Sequence, residues 1–132
     1  MPGNHDWGFQ TDNKASREAI TNAIYLQDEF VIVEGLKIYG APWQPWFYDW
    51  AFNLKRGAEI KANWDLIPDD IDVLITHGPA YGILDIVGPN RFTPVPEHVG
   101  CEELRNRVDR LQNLKLHVSG LLHLSYGTEK VG

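Results

Sequence analysis

Three short groups of residues in this 132-residue chain have the types and the order of a metal or phosphate site. They are Gly3-Asn4-His5-Asp6, Thr76-His77-Gly78-Pro79 and Gly120-Leu121-Leu122-His123. Imidazole nitrogen, amide oxygen and carboxylate oxygen together suit Zn, Mn or Fe, and no set of thiolates competes with them. Glycines beside such donors let the chain turn sharply and let backbone approach an anion closely. A single histidine after a strand is more often structural than a ligand. Adjacent Asn and His in a Gly-led turn, by contrast, serve little packing purpose. The three groups together, in this order, are a specific signal.

Other residues carry weaker hints. Trp43, Trp46, Phe47, Tyr48 and Trp50 form an aromatic run that could wall a base pocket, although packing between layers is the commoner use of such a run. Trp43, Trp46 and Asp85 are therefore kept as candidate cleft residues. His98, in a proline-rich loop, and His117, within a strand, read as structural or surface residues. Asp69-Asp70 reads as a solvated turn.

These groups need elements to hold them. Ala15–Ala23 reads as a short helix with Asp12, Asn13 and Ser16 available as caps. Phe30–Glu34 and Leu36–Tyr39 flank Gly35 and read as a hairpin. The run APWQPWFYDWAF, with two prolines, argues against regular structure. Arg56–Trp64 reads as a helix, and Ile71–Thr76 as a strand buried on both faces. Gly88–Pro96 is a loop with three prolines. Cys101, Leu104, Val108 and Leu111 have the spacing of one helix face, followed by a strand at Leu114–Val118. Strands alternating with helices give an α/β domain. His77 follows one of the two apolar strands, and Gly120 and His123 follow the other. Ligands in open α/β sheets gather outside the carboxyl ends of strands, so these loops are expected to converge.

Composition sets the outer limits. The chain is one domain at most. At 43% hydrophobic and 23% charged it is an ordinary globular composition, with five Trp that need a packed wall or a ligand. A net charge of −6 argues against gripping nucleic-acid phosphates. It does not oppose a phosphate ester, because metal ions supply positive charge of their own. The single cysteine, Cys101, leaves no internal disulfide and reads as core. No uninterrupted apolar run exceeds four residues, far below the ~20 of a membrane helix. The N-terminus has no signal-peptide pattern, which makes a cytoplasmic location the default expectation.

The three groups resemble the third, fourth and fifth motifs of the calcineurin-like metallophosphoesterases. Tyr25-Leu26-Gln27-Asp28, and the run from Ile38 through Trp43-Gln44-Pro45-Trp46-Phe47-Tyr48, are similar to the metallophosphoesterase-domain-containing proteins and their bacterial relatives, which include cyclic-nucleotide phosphodiesterases. The resemblance implies an α/β fold that is part of an α/β/β/α sandwich, with residues 1–132 as one partial domain. It implies divalent metal ions (Mn, Fe or Zn) as cofactors and a small phosphate-ester substrate, with nucleotides among the candidates. Asn4 and His77 match ligands of the second metal and His123 a ligand of the first. His5 matches the histidine that steadies the transition state or protonates the leaving oxygen.

The chain also departs from the pattern. The fifth motif of the family is Gly-His-x-His, and Leu121 replaces its first histidine. No Asp-x-His and no Gly-Asp bridge occurs in the sequence. The expectation is a truncated phosphoesterase, inactive as this chain and self-associating through unpaired sheet edges. The alternative is a non-catalytic binding or oligomerisation module.

Overall fold

A four-stranded sheet organises the computed structural model, which describes residues 1–131. Two short helices come first, α1 (Trp7–Thr11) and α2 (Asn13–Glu18). Asp12 separates them, and its carboxylate accepts from Ala15 N at 3.3 Å. The single helix expected over Ala15–Ala23 is thus displaced towards the N-terminus. Residues 20–28 are irregular, and Gln27 Oε1 in that stretch accepts from Asn13 Nδ2 at the start of α2 at 2.9 Å.

The hairpin forms as Gly35 suggests. β1 (Glu29–Val33) and β2 (Leu36–Ala41) pair antiparallel, with Val33 opposite Leu36. The two connecting residues, Glu34 and Gly35, both have positive φ (53° and 77°), the two-residue turn whose twist matches that of the strands. The aromatic run that follows has a two-residue parallel pairing, β3 (Gln44–Pro45) with β4 (Asn53–Leu54), and an isolated bridge between Phe47 and Asp49.

Two crossover units complete the sheet. α3 (Ala58–Trp64) leads into β5 (Val73–Thr76), which lies parallel to β2. β6 (Ile86–Val87) and β7 (Glu97–His98) form a small antiparallel pair, which puts His98 in a strand and not in the loop. α4 (Glu102–Asp109) then leads into β8 (Leu116–Ser119), parallel to β5, giving the order β1-β2-β5-β8. Cys101 sits just before α4, buried, where its sulfur takes the Trp64 Nε1–H at 3.3 Å. The class is α/β.

One face of this sheet carries the core. Tyr39, Ala41 and Leu74 pack with Ile60 and Trp64 of α3 and Leu104 of α4. Each such large side chain contributes roughly 1.5–3 kcal/mol on leaving water. The other face is open among the described residues: Val33, Leu36, Leu116 and Val118 are 37–54% exposed. In β5, accordingly, Leu74 and Thr76 are buried while Val73 and Ile75 are only partly covered. The strand expected to be buried on both faces is buried on one, because both crossover helices lie against the same side. No helix among the described residues is long and apolar enough to cross a membrane.

Candidate functional site

The N-terminal loop is a closed turn. Asp6 Oδ2 accepts from Gly3 N at 2.6 Å, and Asp6 N donates to Gly3 O at 3.0 Å. Between them Asn4 is 4% exposed, and its backbone oxygen takes the Ala51 N–H at 2.8 Å. That bond docks the turn on the end of the aromatic run, where Ala51 and Phe52 are fully buried. Asn4 is therefore held at its backbone by bonds on both of its sides, with its side chain buried.

It points at His77. Asn4 Oδ1 stands 3.0 Å from His77 Nε2, across 73 positions of sequence. His77 is the first residue beyond β5, at the carboxyl end of the sheet, and its backbone oxygen accepts from Gly120 N at 2.9 Å. Gly3 makes the approach possible: a Cβ there would lie 2.8 Å from His77 Cε1. Burial holds the imidazole below its ordinary 6.5; the Asp6 carboxylate opposes this and His5 adds to it. The ring is neutral at pH 7; Asn4 Oδ1 only accepts, so Nε2 carries the hydrogen in this bond, and an ion shared with Asn4 would require that hydrogen to move to Nδ1.

The other site residues distribute unevenly. His5 is exposed, with its ring 4.6 Å from that of Trp50. The third group reaches the site by its backbone, through Gly120, and Leu121 lies over Gly78. His123 is exposed and makes no hydrogen bond to Asn4 or His77 among the described residues. Trp43 is half-buried and gives its Nε1–H to both Asp28 oxygens, at 3.0 and 2.7 Å, while it packs edge-on to Phe52. Trp46 is 59% exposed. Asp85 is fully buried, and its carboxylate is consumed by His98 Nδ1 at 2.6 Å and by the backbone N–H groups of Gly82 and Gly100. It staples the 82–100 excursion to its own base. His98 is its structural partner, and the exposed Asp69 pairs with the buried Arg107.

The pair Asn4–His77 fits a divalent ion in part. Donors ~2.1 Å from one ion and at right angles to each other lie about 3.0 Å apart, the spacing of this pair. Both are neutral, and both suit the borderline ions already named. Among the described residues there is no group of three His, Cys, Asp or Glu that could hold a metal.

Sequence reasoning missed two features. The Asp28–Trp43 bond joins two segments already singled out, but nothing local relates them. Thr76 Oγ1 lies 2.8 Å from His117 Nε2, and its hydroxyl donates to Gly78 O at 2.7 Å. The only available hint was that Thr76 ends, and His117 lies within, the two apolar runs that precede the histidine motifs.

No family model matches the chain. It is 53% identical over 108 residues to Metallophosphoesterase domain-containing protein 1 of Homo sapiens, a match covering 82% of this chain and 32% of that protein. The protein of the same name from Mus musculus gives the same figures. A UPF0046 protein of Caenorhabditis elegans is 41% identical over 113 residues, covering 86% of this chain and 27% of its own length. The chain therefore spans about a third of the length of these curated relatives.

Proposed function

We propose, on the premise that this chain belongs to the metallophosphoesterase-domain-containing family, that it carries part of a metal-dependent phosphoesterase centre. The family is a phosphoesterase family by the names of its members. The observation that carries the reading for this chain is the 3.0 Å approach of Asn4 Oδ1 to His77 Nε2. These two side chains would hold one divalent ion, in a two-metal site whose other donors come from elsewhere. A bound ion of this kind supplies Lewis acidity, neutralising phosphate oxygens and acidifying water. His5, exposed beside Trp50, would be the group that exchanges a proton with a leaving oxygen. Asn4 is buried and already oriented, so it loses little side-chain freedom on binding. The substrate class is a small phosphate ester, with nucleotides among the candidates.

The same reading makes the chain by itself inactive. Two neutral donors without a bridging carboxylate do not hold two ions at the ~3.5–4 Å that in-line displacement requires. Leu121, apolar where the family pattern has a histidine, favours a second reading: a non-catalytic binding module that retains the turn and not the chemistry.

The test uses the whole chain with Mn²⁺. Calorimetry should detect weak binding that His77→Ala removes, while hydrolysis of bis(4-nitrophenyl) phosphate stays at background. Mn²⁺ affinity unchanged by His77→Ala would overturn the site. Turnover that His5→Ala abolishes would overturn the inactivity.

A further inference from the structure

We propose that His117 is a positioning residue for His77, acting through the Thr76 hydroxyl and the Gly78 carbonyl. This rests on the reading of Asn4 and His77 as a pair of metal donors. The first support is proton counting. Thr76 Oγ1 has a single hydrogen, and it goes to Gly78 O at 2.7 Å. The oxygen also lies 2.8 Å from His117 Nε2. With its proton committed, the hydroxyl can only accept from the ring, so Nε2 carries hydrogen and Nδ1 does not. The direction of the chain is then fixed: His117 donates to Thr76, and Thr76 donates to Gly78.

The second support is register. In the parallel pair β5–β8, Leu74 is opposite His117 and Thr76 is opposite Ser119. His117 and Thr76 are thus diagonal neighbours on one face, within reach of a long side chain. Thr76 is 1% exposed, so its hydroxyl has no water to replace a missing partner. Burial pushes the His117 ring down to about 4, which keeps it neutral at pH 7.

The third support is what the relay encloses. Thr76 and Gly78 flank His77, and His77 O is tied separately to Gly120 N at 2.9 Å. Two residues of the turn are tied to β8 or the residue just after it, Thr76 by His117 and His77 by Gly120, and Gly78 is tied back to them through Thr76. The backbone that presents the His77 ring to Asn4 is therefore set by His117, although His117 touches neither donor through any hydrogen bond among the described residues. Leucine at 117 would fill space and leave the Thr76 oxygen without its donor. Glutamine would restore it, since its Nε2 stands as many bonds from Cα as the Nε2 of histidine.

Three variants of the whole ¹⁵N-labelled chain test this: His117→Leu, Thr76→Val and His117→Gln. Long-range ¹H–¹⁵N spectra at pH 7 should show His117 neutral with its proton on Nε2. Exchange of the Gly120 amide, read against the Tyr39 amide in mid-sheet, should accelerate roughly fivefold in His117→Leu and Thr76→Val, as for loss of one hydrogen bond. It should stay within about twofold in His117→Gln. Mn²⁺ affinity by calorimetry should follow the same order, weakened in the first two and recovered in the third. A proton on Nδ1, Gly120 exchange unmoved by His117→Leu, or absence of rescue by Gln with Tyr39 exchange intact would each overturn the relay. If His117→Leu collapses Tyr39 protection, Thr76→Val, which keeps the side-chain shape, decides. Should Mn²⁺ binding prove independent of His77, the metal reading fails alone, and the tautomer and Gly120 exchange still judge the relay.

Discussion

Gly3→Ala should displace the His77 ring while leaving the sheet intact. A methyl group at Gly3 would stand 2.8 Å from His77 Cε1 and 2.9 Å from Nδ1, where carbon contacts are comfortable only at ~3.5–4.0 Å. Gly3 is not among the residues with positive φ, so the backbone accepts alanine and the whole effect falls on the ring. Two costs follow. Overpacking of a filled site costs about 1–3 kcal/mol, and the bond to Asn4 Oδ1, worth about 1 kcal/mol net, is strained or lost. Less the ~0.4–1 kcal/mol that alanine gains by restricting the unfolded chain, we expect a destabilisation of about 2 kcal/mol. With an unfolding entropy of about 2.1 cal/mol/K per residue, that lowers Tm by about 7 °C for a chain of this length. A ring forced outward regains solvent, so its pKa, now held below 6.5 by burial, should rise. Thermal melting and an NMR titration of the His77 Cε1 proton read both effects. A Tm within about 1 °C of the parent and an unchanged His77 titration would refute the packing argument.

Stability should also depend on pH in a defined window. His77 and His117 both have folded pKa values below 6.5, so the unfolded chain takes up protons first as pH falls. Their contribution is complete above pH 6.5 and is lost on acidification, for His117 down to about 4. It amounts to roughly 2–3 kcal/mol for His117, and His117→Gln should flatten the denaturation midpoint across that range. Leu121→His should tighten Mn²⁺ binding by roughly tenfold, because it returns a third donor beside His77, with turnover still at background; unchanged affinity in calorimetry would place residue 121 away from the ion. The open sheet face, with Leu116 and Val118 54% and 45% exposed, should drive concentration-dependent association in sedimentation. Leu116→Lys with Val118→Lys should abolish it, and a parent chain that stays monomeric at high concentration would refute it.

The sequence by itself determined the features that are local. Gly35 between two β-prone runs announces a hairpin, whereas Glu34 joins the turn with positive φ only in the folded structure. The apolar runs at Ile71–Thr76 and Leu114–Val118 mark β5 and β8 to within two residues, and Cys101, Leu104 and Leu111 mark the buried side of α4. Gly3-Asn4-His5-Asp6 is a turn whose own side chain closes it, so its shape needs nothing distant. The tertiary structure decided which groups meet. Asn4 and His77 come together because β5 ends where Asn4 O is held by Ala51, a contact set by packing. Asp85 is drawn into the base of its excursion by His98 and two backbone N–H groups. His117 acquires its partner only through the parallel register of β5 and β8. Both crossover helices lie on one face, which leaves β5 half-covered, and no residue within β5 could announce it. Turn chemistry and periodicity act over a few residues and can be read along the chain. Register, helix side and the partner of a buried polar atom depend on residues tens of positions away, so only the folded chain fixes them.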